Sequence, residues 1–178
     1  GGGSTEYILA RGDVVLATVS LKLGVVPLAE RYPFEGPVDP ERYARMVEEI
    51  SARLAADVPA MMRTPPPDRL VGTAGTVTTL AALDLGLETY DAGRVQGHVL
   101  TRAAVERLLA RLGGLSVGDR ARVPCLEPGR ADLIVPGMAI VLATMDLVGL
   151  DRLVVSDAGL REGILVTLAR RGTRWHLV

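Results

Sequence analysis

The chain has 178 residues, room for one domain with a substantial core; 48% of them are hydrophobic but only 3% aromatic. Twenty Lys and Arg against twenty-one Asp and Glu leave a net charge of -1, which excludes a bulk positive field that would recruit nucleic acid or an anionic membrane. The single cysteine, Cys125, excludes an internal disulfide framework and a thiolate metal cage, and points to a reducing cytoplasm.

A core poor in aromatics rests on Leu, Val, Ile, Ala and Met, which suits strands covered by helices. The chain opens on "GGGSTE", a composition shared by flexible linkers and by glycine-rich turns that wrap amides around phosphate. The runs "STEYILA" and "DVVLATVSL" flank "RGD" and predict two strands joined by a tight hairpin, so the Arg-Gly-Asp tripeptide is read as turn chemistry. After "YPFEGPVDP" breaks the pattern, Asp39 as N-cap and Pro40 at the first helical position predict a helix to about Met62.

"TPPPD", Thr64 to Asp68, is a stiff connector within the domain, and "RLVG" reads as a short buried strand. "TAGTVTTLAALDLG" reads as a turn running into a helix, and Thr101 caps another that reaches about Leu112 and stops at Gly113-Gly114. Arg130 to Val148 is predicted as a long apolar helix. The stretch "LIVPGMAIVLATMDLVGL", Leu133 to Leu150, has the length of a membrane span but contains Pro136, Gly137 and Asp146, so a buried helix is expected. The strand "RLVVSD" and a helix from about Leu160 to Arg171 complete an alternation of strands and helices that argues an α/β fold with ligand sites at strand ends.

Three glycine turns adjoin predicted strands: Gly1 to Thr5, Gly72 to Thr76, and Ser156 to Gly163. Glycine lets backbone amides approach a ligand, and neighbouring hydroxyls bond phosphate oxygens; "GTAGT" also feeds a helix whose free amides favour an anion. Each also fits an ordinary strand-to-helix turn. Glu6 follows the first turn, where it fits a solvent-facing strand position; equally, a carboxylate beside a phosphate cradle repels the ligand unless a cation intervenes, so Mg²⁺ coordination is its natural functional use. His98 and His176 lack metal spacing, and Cys125 reads as a small core residue. Asp132 is expected to complement the dipole of the long helix, and Arg130 lies within reach of an anion there.

The segments "GGGSTE", "SLKLGVVPLAERY", "LVGTAGTVTTLAA", "VQGHVLT", "CLEPGRADLIVPGMAI" and "VVSDAGLREGIL", in this order, resemble the exopolyphosphatase and guanosine pentaphosphate phosphohydrolase family of the actin-like superfamily. The resemblance covers Gly1 to Arg171, leaving 172–178 as a tail that carries Trp175. It implies a ribonuclease H-like lobe, a mixed sheet flanked by helices, and Mg²⁺-assisted release of terminal phosphate from polyphosphate or guanosine pentaphosphate. By the same resemblance Gly1, Gly2, Gly3, Ser4 and Thr5 match the second phosphate loop, and Glu6 matches the catalytic, metal-associated glutamate. Gly72, Gly75 and Thr76 lie in the loop that neighbours the nucleoside in nucleotide-binding relatives.

The family motif begins with an acidic and an apolar residue before the glycines, and a preceding lobe carries the first phosphate loop and a second glutamate that positions water. Neither is in this chain, which therefore resembles the C-terminal half of the enzyme and is expected to hydrolyse little alone. The family's first strand of this lobe lies between the hairpin and the Leu70 strand; without it two strand edges stand open, to be filled by a longer polypeptide, a swapped strand or a dimer contact. The resemblance also implies a homodimer. The competing reading is a non-catalytic actin-like module that binds nucleotide and changes partner.

Overall fold

The structure, a computed structural model, describes residues 2–170. Strands β1 (Thr5–Arg11) and β2 (Val14–Leu21) form an antiparallel hairpin, and the turn residue Gly12 takes φ 58°, which glycine adopts without steric cost. Along β1, Thr5, Tyr7 and Leu9 are half-buried while Glu6, Ile8 and Ala10 are exposed, the period-two alternation of a one-sided sheet. Arg11 faces Val14 next to the turn, but the register shifts between Leu9 and Ala10, leaving Leu16 unpaired. This β-bulge places Ser20, not Val19, opposite Glu6.

Helix α1 (Val25–Arg31) follows, where the sequence reading assigned no element. Helix α2 (Pro40–Asp57) starts as expected, with the Arg42 amide donating to Asp39 at 2.7 Å and Pro40 in the first turn. It stops at Asp57 rather than Met62, because Pro59 cannot continue the helix and disfavours helical backbone at Val58; Ala60–Met62 is a separate 3-10 turn. Strand β3 (Leu70–Thr73) is not buried as the sequence reading had it but alternates half-buried Leu70 and Gly72 with exposed Val71 and Thr73, one face packing on the core; helix α3 (Gly75–Asp84) follows. Next come the short α4 (Ala92–Val95) and β4 (Val99–Thr101), then α5 (Arg102–Gly113), whose Ala104 amide is capped by Thr101 at 3.1 Å. The four-residue α6 (Val117–Arg120) precedes α7 (Ile134–Val148), β5 (Arg152–Ser156) and α8 (Leu160–Arg170).

The class is α/β with mixed strand directions. β5 lies between β3, to which it is parallel, and β4, to which it is antiparallel. The hairpin is a separate two-stranded sheet, and no described strand lies between β1 and β3. Helix α7 is the hub of the core: twelve of its fifteen residues are buried, and it packs on α1, α2, α3 and α5. The Tyr7 and Thr144 hydroxyls, 2.7 Å apart, join the hairpin to it. The helix begins at Ile134 rather than Arg130, since Pro128–Arg130 forms a 3-10 turn. Asp132 therefore precedes the helix and does not occupy its first turn, as the sequence reading had it. Among the described residues no helix is long and apolar enough to cross a membrane.

Arg120, fully buried, ties the far side together. Its guanidinium donates to the carbonyls of Leu112 at 2.8 Å, Phe34 at 2.8 Å and Gly36 at 3.1 Å, and burial draws its pKa down from the ordinary arginine value. Charge-assisted bonds to carbonyls offset part of the cost of removing the cation from water.

Candidate functional site

Gly1 lies outside the described residues; the rest of the first glycine turn rests on the N-terminal end of α1. There the Val26 amide donates to the Gly2 carbonyl at 2.9 Å. The approach depends on Gly24, since a Cβ on that residue would sit 2.3 Å from the Gly2 oxygen and 2.6 Å from the Gly3 Cα. Nothing lies within 4 Å of where a Cβ on Gly3 would be, and the Gly3 and Ser4 amides donate to no backbone carbonyl among the described residues. Those amides are available to an anion. The Thr5 hydroxyl, in contrast, donates to the Leu23 carbonyl at 2.6 Å, so its proton braces the loop against the β2–α1 connection.

Glu6 stands beside this loop on the exposed face of the hairpin. Its Oε1 accepts from the Ser4 hydroxyl at 2.5 Å and from the Ser20 hydroxyl at 3.0 Å; Oε2 has no partner among the described residues. The Ser4 bond, opposed by partial burial and helped by Ser20, holds the carboxyl below its ordinary pKa. Glu6 is thus ionised with one oxygen anchored and one free. Among the described residues no cluster of three or more His, Cys, Asp or Glu side chains forms a metal cage. A lone carboxylate oxygen still suits Mg²⁺, a hard cation that commonly takes one or two carboxylates together with phosphate oxygens and water.

The other two glycine turns come together because β3 and β5 are parallel neighbours, with Thr73 opposite Ser156. The Thr73 and Ser156 hydroxyls both donate to the Ala158 carbonyl at 3.0 Å, locking the turns to each other. Glu162, in the first turn of α8, accepts from the Gly159 amide at 2.7 Å, and that bond lowers its pKa. Ala74 takes φ 73° to start α3, which has no side-chain N-cap. Gly75 lets the Arg130 guanidinium lie over the first turn, since a Cβ there would be 2.1 Å from Arg130 Nη1. Gly72 and Thr76 have packing roles: a Cβ on Gly72 would be 2.9 Å from Leu153 Cδ1, and Thr76 fills the space a side chain at Gly137 would need. No hydrogen bond joins these two turns to the Gly2–Thr5 loop among the described residues.

A cavity of about 320 Å³ opens beside α3, lined by Thr78, Thr79, Tyr90, Cys125, Glu127 and Arg130. Arg130 pairs with Glu127 at 3.0 Å, and the Tyr90 hydroxyl donates to Asp157 of the third turn. The Cys125 thiol donates to the Leu87 carbonyl at 3.1 Å, and burial pushes its pKa up, the opposite of an activated nucleophile. His98 Nε2 lies 2.9 Å from Asp84 Oδ2, so this histidine is hydrogen-bonded to a carboxylate. His176 and the tail lie outside the described residues. Ser20 and Gly24 were not identified as site residues from sequence, although both lie in quoted motif segments; the hairpin register and the loop's docking on α1 reveal them.

A family model described as the Ppx/GppA phosphatase family matches residues 1–171. The chain is 35% identical over 177 residues to exopolyphosphatase 2 of Mycobacterium tuberculosis, an alignment covering 95% of this chain and 54% of that protein. It is 26% identical over 166 residues to exopolyphosphatase 1 of Mycobacterium bovis, covering 93% of this chain and 48% of that protein. Among solved structures, a Ppx/GppA family member from Aquifex aeolicus superposes with a TM-score of 0.89 at 35% identity, covering 98% of this chain and 56% of that one. The chain thus spans about half the length of the curated relatives it matches.

Proposed function

Because the chain belongs to the Ppx/GppA phosphatase family, we propose that it is one lobe of a phosphoanhydride hydrolase that releases terminal phosphate from inorganic polyphosphate or guanosine pentaphosphate. The observation that carries this reading is Glu6: an ionised carboxylate beside a glycine loop, one oxygen held by two serine hydroxyls and the other free. Phosphoryl transfer demands little covalent chemistry of a protein; it needs charge neutralisation, a positioned water and a dry cleft. The Gly3 and Ser4 amides, with those of Gly1 and Gly2 in the same loop, bind phosphate oxygens. Glu6 holds the cofactor, Mg²⁺, which supplies neutralisation of the developing charge when bound. Gly75 and Thr76 offer the uncapped amides of α3 to a more distant part of the substrate, with Arg130 beside them.

In this reading the fold is an actin-like, ribonuclease H-like lobe that works in the cytoplasm, in a homodimer and with a preceding lobe that supplies the base for water. The test is phosphate release from polyphosphate and from guanosine pentaphosphate, with Mg²⁺, by the 178-residue chain and by a polypeptide extended upstream. Little release by the first and Mg²⁺-dependent release by the second is expected. Comparable release by both overturns the dependence on a preceding lobe, and none by either overturns the hydrolase reading.

One observation favours a second reading, a non-catalytic nucleotide-binding module: Glu6 belongs to no group of three or more His, Cys, Asp or Glu side chains that could hold a metal among the described residues. Calorimetric titration with guanosine and adenosine nucleotides separates the two, since tight binding without turnover by the extended polypeptide supports the module.

A further inference from the structure

We propose that Ser20 is a positioning residue for Glu6: from β2 it holds Oε1 of the carboxylate, leaving Oε2 as the oxygen presented to the cation. The inference rests on the hydrolase reading for its catalytic consequence, but its structural content stands apart from it. Two hydroxyls converge on Oε1, and they are not equivalent. Ser4 belongs to the glycine loop, where its hydroxyl is also a natural donor to a phosphate oxygen, so a bound substrate competes for it. Ser20 lies on β2, outside that loop. It sits directly opposite Glu6 in the antiparallel ladder, so strand pairing keeps its hydroxyl within reach of the carboxylate whether or not a ligand is present.

An exposed glutamate turns about three side-chain bonds, and no other side chain among the described residues bonds the Glu6 carboxylate. When Ser4 turns to phosphate, Ser20 is the remaining side-chain restraint. The bulge at Leu16 is part of the device, because without the one-residue shift an inward-facing Val19 would occupy the position opposite Glu6. Displacing a catalytic group by even 1 Å costs on the order of 100-fold in rate, so a hydroxyl far from the bond being broken can still be felt in turnover.

The test uses the protein expressed from its whole coding sequence, in three forms: unaltered, Ser20→Ala and Ser20→Thr. Threonine keeps the hydroxyl and suits a strand; alanine removes it. For polyphosphate hydrolysis with Mg²⁺, Ser20→Ala is expected to lower kcat about 10- to 100-fold with KM changed less than about 2-fold, and Ser20→Thr to restore most of the loss. The melting temperatures of all three should agree, since Ser20 is exposed. Crystals of Ser20→Ala supply a readout independent of turnover: the Glu6 carboxylate should leave its position or spread over several rotamers, and return in Ser20→Thr. A Glu6 carboxylate unmoved in Ser20→Ala overturns the proposal, as does a kcat loss that threonine fails to restore or an unchanged kcat in an active enzyme. If the unaltered protein releases no phosphate, the hydrolase reading fails, and the Glu6 position in the crystals alone decides the role of Ser20.

Discussion

Gly24 and Gly2 approach so closely that a single methyl group on Gly24 would sit 2.3 Å from the Gly2 carbonyl oxygen. The obstruction is backbone on both sides, so no flexible side chain can swing away to relieve it. Gly24→Ala is therefore expected to lift the Gly2–Ser4 loop off α1, break the Val26–Gly2 hydrogen bond and cost about 1–3 kcal/mol of stability. Denaturant unfolding gives the stability change. Phosphate binding followed by calorimetry should weaken in parallel, because the loop amides lose their preorganised arrangement; full retention of binding would mean that the loop tolerates displacement.

Arg120 is predicted to be among the most sensitive positions in the chain. Arg120→Ala removes a buried cation and strands the carbonyls of Leu112, Phe34 and Gly36 without a donor, a loss of about 3 kcal/mol or more. Arg120→Lys keeps the charge but not the planar fork that meets three separate acceptors, and should recover only part of the stability. Thermal unfolding of both variants checks the order.

How much of this was readable beforehand depends on whether a feature is local. The caps at Asp39 and Thr101 are set by residues within three positions of each other, and both form as the sequence indicates. The hairpin, β3, β5 and the apolar α7 announce themselves by periodicity and composition. Helices α4 and α6 and strand β4, of three or four residues, are too short to carry a period, and they form because their neighbours hold them. Ser20 eluded sequence reasoning for a different reason. Counting back from the Gly12-Asp13 turn pairs Glu6 with Val19, and only the bulge at Leu16 moves the serine into place. Gly24 and Gly137 are likewise unremarkable until the segments that lie against them, the first loop and Thr76, are known.

The pH dependence of stability should carry a contribution from Glu49. Burial raises its pKa, but hydrogen bonds from Tyr32 and Arg31, with the charge of Arg31, outweigh that and leave it below the ordinary glutamate value. A carboxyl whose folded pKa is depressed adds stability that is fully present above its unfolded pKa and is lost as pH falls through the folded one. Stability should therefore decline from about pH 4.5 downward, partly through loss of the Glu49 links that join α1 to α2. Glu49→Gln should be less stable than the unaltered chain at neutral pH, and the difference should shrink as the medium is acidified. A difference independent of pH between 3 and 7, about the span over which carboxyls titrate, would show that the links do not depend on the charge.

Glu6→Gln gives the sharpest test of the site, because it changes charge and almost nothing else. The amide oxygen can still accept from Ser4 and Ser20, and the side chain is exposed, so the melting temperature should stay within about 2 °C. The negative charge is gone, however, and with it the affinity of Oε2 for a hard cation. Phosphate release by the extended polypeptide is expected to fall about 100-fold or more, while anion binding by the loop should persist or strengthen, since the carboxylate no longer repels phosphate. Glu6→Asp separates charge from reach. It keeps the carboxylate but draws it back by one methylene, away from both serine hydroxyls, so activity should recover only partly even though the charge is restored. Equal rates for the unaltered, Gln and Asp forms would remove Glu6 from the chemistry and leave the glycine loop as a binding element alone.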